Sequence, residues 1–141
     1  MSLLGKLARD KSPQVRREVL ITLADKKVAK PSAKLWVDLA NQHDGKDRWY
    51  LEALGIAARG HETDYLDAWL NQAKSWNTPA GRDIIWRLRA PKSATYLAKI
   101  LTDSKTKAAD KDRYMRALDF IPKCKEKDDA LAAIALGSLG L

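Results

Sequence analysis

Cysteine, phenylalanine and histidine are scarce in this chain: one, one and two among 141 residues. With Cys124 alone no internal disulfide can form, and the residue is expected to pack as a small buried thiol. His43 and His61 stand 18 residues apart and offer little from which to build a metal site. The run His61-Glu62-Thr63-Asp64-Tyr65 begins like a zinc-protease helix, but Tyr65 stands where the second histidine ligand is needed. A glycine-rich phosphate loop is missing too; Gly55 and Gly60 do not make one, and Gly60 reads as a helix terminator. Asp44-Gly45 lacks the alternating acids and final Glu of a calcium loop. Acid pairs such as Asp128-Asp129 read as charges that complement a helix N-terminus. No apolar run approaches the roughly 20 residues that span a bilayer, and the opening Met1-Ser2-Leu3-Leu4-Gly5-Lys6-Leu7 is too short and interrupted for a secretory signal. The chain is therefore expected to hold no cofactor or metal, to avoid the membrane, and to be no enzyme.

What is present is helix-forming material with a basic end. Apolar residues make up 45% and charged residues 31%, proportions suited to a packed domain. The net charge of +8 is unevenly spread. Residues 1–34 hold nine Lys or Arg against three acids, whereas the remaining 107 hold 17 bases and 15 acids. A patch of this kind attracts nucleic acid or an acidic partner, or simply forms a solvated face.

Breakers punctuate the chain at Ser12-Pro13, Pro31-Ser32, Asp44-Gly45, Gly60, Thr78-Pro79, Pro91, Ser104–Lys107 and Pro122. Between them apolar residues recur three and four apart, and strand-like alternation is missing. Ser12-Pro13 and Thr78-Pro79 read as N-caps followed by Pro at the first helical position. Ser32, Thr63 and Ser93 are expected to cap other starts. The helices are placed at about 2–10, 13–27, 32–42, 46–59, 63–75, 79–89, 93–103, 109–121 and 127–138.

These helices fall into two series. Leu35, Leu66, Leu97 and Leu131 lead the first, at intervals of 31, 31 and 34 residues. Arg17, Arg48, Arg82 and Arg113 lead the second, at intervals of 31, 34 and 31. Two interleaved series with one period point to a helix-hairpin array. The expected fold is all-α: a solenoid of about four hairpins plus an extra terminal helix, forming a single domain over 1–141. Its ending, Leu136-Gly137-Ser138-Leu139-Gly140-Leu141, is apolar and lacks a polar cap, which points to a fragment of a longer protein.

The stretch Asp10-Lys11-Ser12-Pro13-Gln14-Val15-Arg16-Arg17 resembles the HEAT repeat, in which an Asp, a Pro and a Val-Arg pair recur at the second helix. The other segments match by period more than by letter, with Trp49 and Tyr114 where small residues are usual. A HEAT resemblance implies an α-α superhelix. More narrowly, Asp47–Ala58 is similar to the helical repeats of large exported bacterial proteins that also carry a sugar-dehydrogenase-like β-propeller and a c-type haem domain. That likeness implies a spacer or docking segment of a periplasmic or cell-surface parent; the haem-attachment pattern Cys-x-x-Cys-His is absent here.

Candidate binding residues follow from the polar and aromatic pattern. Arg17, Arg48, Arg82 and Arg113 read either as a structural ladder, paired with neighbouring Asp residues, or as a basic stripe that grips an acidic ligand. Of five tryptophans, Trp36, Trp69 and Trp86 fall on apolar faces and are expected to be packed. Trp49, beside Arg48, and Trp76, in a connection, are the expected exposed pair. The functional expectation is a non-catalytic scaffold for another protein or a neighbouring domain. The alternative is a nucleic-acid-binding protein of DNA-glycosylase-like character that uses a basic concave face. A repeat-built enzyme acting on a small cofactor is a third class.

Overall fold

In a computed structural model the chain is described over residues 2–138, with side chains through Gly137. Leu139, Gly140 and Leu141 of the apolar ending lie outside the described residues. Among the described residues there are nine helices and no strand. They are α1 (Leu3–Leu7), α2 (Pro13–Ala24), α3 (Ala33–Ala40), α4 (Arg48–Ala57), α5 (Glu62–Gln72), α6 (Pro79–Leu88), α7 (Pro91–Thr102), α8 (Ala108–Asp119) and α9 (Lys125–Ser138). None is long and apolar enough to cross a membrane.

Local chemistry sets most of the starts. Side-chain oxygens of Ser12, Ser32, Asp47 and Thr78 accept from the amides of Val15, Leu35, Tyr50 and Gly81 at 3.4, 3.1, 3.0 and 3.0 Å. Each satisfies one of the orphan donors of a helix N-terminus. Two expected caps fall elsewhere. Helix α5 begins one residue before Thr63, with His61 at the cap position and no side-chain bond there. Ser93 lies in the first turn of α7, where its buried hydroxyl accepts from the Ala90 amide at 3.1 Å. Gly60 turns the chain after α4 with φ +82°, a left-handed conformation that suits glycine.

The chain divides into two compact units, residues 1–87 and 88–141. In the first, α2 packs on α4 and α3 on α5. Trp36 lies fully buried at the centre. Its indole N–H donates to the Leu54 carbonyl at 3.0 Å, and its ring stacks on Tyr65 at 5.3 Å. Tyr50 donates to the Leu39 carbonyl at 2.7 Å, so α3, α4 and α5 are joined by aromatic rings as well as by Leu20, Leu39, Leu54 and Leu66. Each such leucine contributes roughly 1.5–3 kcal/mol by leaving water. Trp69 is buried as expected, whereas Trp86 is only half-buried.

In the second unit α7 packs against α8 and α9. Leu97, Ile100 and Leu118 are buried there with Tyr114 and Ile121. The Thr106 hydroxyl donates to the Ile100 carbonyl at 2.6 Å and closes the turn after α7. Cys124, expected to be buried, is half-buried because it stands in the connection directly before α9, where its carbonyl accepts from the Asp128 amide.

Trp36→Ala should destabilise the protein by about 3–5 kcal/mol, through lost burial and the cavity left behind. Urea unfolding followed by circular dichroism measures this directly.

Candidate interaction surface

The N-terminal ends of α2, α4 and α6 are linked in the first unit. At α2, Arg16 donates to the carbonyls of Asp10 and Lys11 at 2.8 and 3.1 Å, which holds the entering loop. Its guanidinium also lies 5.5 Å from the ring centre of Tyr50, the third residue of α4. Burial pushes the Tyr50 phenol above its usual range, and the neighbouring Arg16 opposes that rise. Between α4 and α6 the link is the turn Asp44-Gly45. Gly45 has φ +79°, and a Cβ there would stand 3.2 Å from the Ala80 amide, so this backbone lies close against the first turn of α6.

One buried pair supports that turn. His43 Nε2 lies 2.9 Å from the Asp83 carboxylate, with the histidine side chain 1% exposed and the carboxylate 13%. Because the carboxylate accepts, Nε2 carries the proton, and Nδ1 is buried with no hydrogen-bond partner. The imidazole also stacks parallel to Tyr50 at 6.1 Å. One residue further on, the Asp44 carboxylate accepts from the amides of Lys46 and Asp47 at 2.7 and 2.8 Å, which holds its pKa below the usual carboxylate range. Asp47 then caps α4. A continuous series of contacts thus runs from the buried histidine to the residues that α4 presents first, Arg48 and Trp49.

Trp49 is 68% exposed, and Arg48 beside it is exposed without a side-chain partner among the described residues. Trp76 is half-buried before α6. Its carbonyl accepts from Thr78, and Arg82 donates to the side chain of Asn77 at 2.7 Å, bracing the same loop. Arg17 is half-buried on α2. Arg113 belongs to the second unit, its guanidinium 5.6 Å from the ring of Tyr114.

Arg17, Arg48, Arg82 and Arg113 are the fifth, first, fourth and sixth residues of their helices. The arginines that brace the first unit are Arg16, Arg82 and Arg87, the last pairing with Glu52 at 3.2 Å. Sequence reasoning missed the His43–Asp83 pair as well, since nothing local joins residues 40 apart.

Between α3, α5 and α6 the His43 ring lines a shallow cleft with Asn41, Trp69, Lys74, Ser75 and Thr78. The two hydroxyls there are committed to local turns: Ser75 accepts from the Asn77 amide and Thr78 from the Gly81 amide. Among the described residues no three His, Cys, Asp or Glu side chains are grouped so as to hold a metal ion. Compared with protein-family models, curated proteins and solved structures, the chain matches none.

Gly81 locks the Trp76 loop to α6, because a Cβ there would lie 2.0 Å from the Trp76 carbonyl oxygen. Alanine ordinarily stabilises a helix interior by about 1 kcal/mol relative to glycine. At this position the sign should reverse. Gly81→Ala is expected to cost about 1–3 kcal/mol through overpacking against backbone, visible as a lowered melting temperature with a shift in tryptophan emission.

Proposed function

We propose that this chain is a HEAT-like array of helix hairpins acting as a non-catalytic scaffold, which binds another protein or a neighbouring domain through the edge around Trp49. The repeat reading is supported by the pairing of α2 with α4 and of α3 with α5, helices one period apart. The binding reading rests on one observation: Trp49 is exposed beside a free Arg48 on a helix start that is capped and braced from below. An exposed indole on an ordered helix start presents a large contact area. Tryptophan and arginine are the residues that most often dominate interface energetics. The free guanidinium favours a partner that brings a carboxylate to that edge.

The basic surplus in residues 1–34 favours a second reading, nucleic-acid binding, in which Trp49 stacks on an unpaired base. The two are separated by anisotropy of a labelled mixed-sequence DNA duplex and a single strand titrated with the chain at two salt concentrations. A scaffold gives no saturable binding at low salt. Gripping of phosphates gives binding whose logarithm falls with log salt by about 0.9 per phosphate neutralised on duplex DNA.

For the protein-binding reading, Trp49→Ala and Arg48→Ala should each leave unfolding within about 0.5 kcal/mol of the parent. A protein recovered from native lysate by the parent chain should bind each variant about 30-fold less well or worse, equivalent to about 2 kcal/mol. Recovery of the same partner by all three with equal affinity would remove this edge as the binding surface.

A further inference from the structure

The carboxylates around the start of α4 are occupied by the chain itself. Asp10, Asp44 and Asp47 stand just before α2 and α4, and each accepts from backbone amides. Asp10 accepts from Ser12 at 2.8 Å, Asp44 from Lys46 and Asp47 at 2.7 and 2.8 Å, and Asp47 from Tyr50 at 3.0 Å. Glu52, one turn along α4, is the helical neighbour that would ordinarily pair with Arg48. It accepts instead from Arg87 at 3.2 Å. Arg48, Lys46 and Lys11 are exposed, and none of them forms an ion pair or side-chain hydrogen bond among the described residues.

These cations share an edge with Trp49. Lys46 and Arg48 precede it by three residues and by one. Lys11 is brought there by Arg16, whose guanidinium donates to the Lys11 carbonyl at 3.1 Å and lies 5.5 Å from the ring centre of Tyr50, the residue after Trp49. The acid on α2 itself is Glu18, in the second turn with Arg17 beside it. An indole 68% exposed thus stands among three cations without ion pairs, while the carboxylates between them already hold amides. That combination complements an apolar side chain flanked by carboxylates. A nucleic-acid strand fits less well, because its closely spaced phosphates would be brought against Asp10, Asp44 and Asp47 as well. We propose that the Trp49 edge takes an acidic linear segment of a protein, with an apolar residue against the indole and its carboxylates on Arg48, Lys46 and Lys11. This rests on the reading of that edge as a binding surface and names the chemistry of its partner.

The probe is a library of random linear peptides displayed on phage and selected on the immobilised full chain, followed by anisotropy of labelled copies of the peptides recovered. The expected result is enrichment of Asp and Glu on both sides of an apolar residue. Replacing those acids with Asn and Gln should weaken binding about tenfold. Trp49→Ala should weaken it about 30-fold, and Arg48→Glu should abolish the acidic enrichment. Both substitutions alter exposed side chains, and an acid at the first position of α4 favours the helix, so both variants should fold as the parent does. Peptides that depend on Trp49 but bind equally well without their acids would overturn the inference and leave the edge as a binding surface. Peptides indifferent to both substitutions would remove the edge itself. Recovery of no peptide above background would overturn the inference, as would displacement of the peptides by a single-stranded oligonucleotide at lower concentration than by free peptide.

Discussion

The buried contact between His43 and Asp83 ties together two segments of the first unit. It joins the connection before α4 to the body of α6 across 40 residues of sequence. It lies beside the place where the backbone of Asp44-Gly45 meets the first turn of α6. The ordering of that turn is what lets Asp44 gather two amides and Asp47 cap α4. Burying such a pair is expensive unless each group finds a partner. The arrangement is therefore better understood as a device for positioning than as a source of net stability.

Each end of α4 consequently has a different chemistry. Its start exposes an aromatic and a cation on a capped turn. Its end meets the end of α2 and the start of α5 at a small cleft lined by Lys26, Arg59 and His61 among apolar residues. Ten residues of helix, roughly 15 Å at 1.5 Å per residue, separate them. A ligand at one end need not touch the other, so the two surfaces can be varied independently.

Much of the helix order was legible in the residues themselves. Ser12-Pro13 and Thr78-Pro79 are strong local signals because cap and proline act within one turn, and both mark true helix starts. Thr63 misled because a hydroxyl near a helix start is useful at several positions, and α5 begins before it. Cys124 was expected in the core on the average behaviour of its type, but a residue in a connection does not share a helix's buried face. Exposure of Trp49 was legible from its place at a helix start beside Arg48. The His43–Asp83 pair and the Lys26–Arg59–His61 cleft were not, because both arise from packing between segments far apart in the chain.

The most direct measurement is amide hydrogen exchange in the parent chain and in His43→Leu, followed residue by residue. Loss of the imidazole should speed exchange at Lys46, Asp47 and Tyr50, whose amides bond to the Asp44 and Asp47 carboxylates, while the central amides of α2 keep their protection. Exchange left unchanged at those three amides would contradict the account, because the turn and the Trp49 edge would then be ordered without the buried pair.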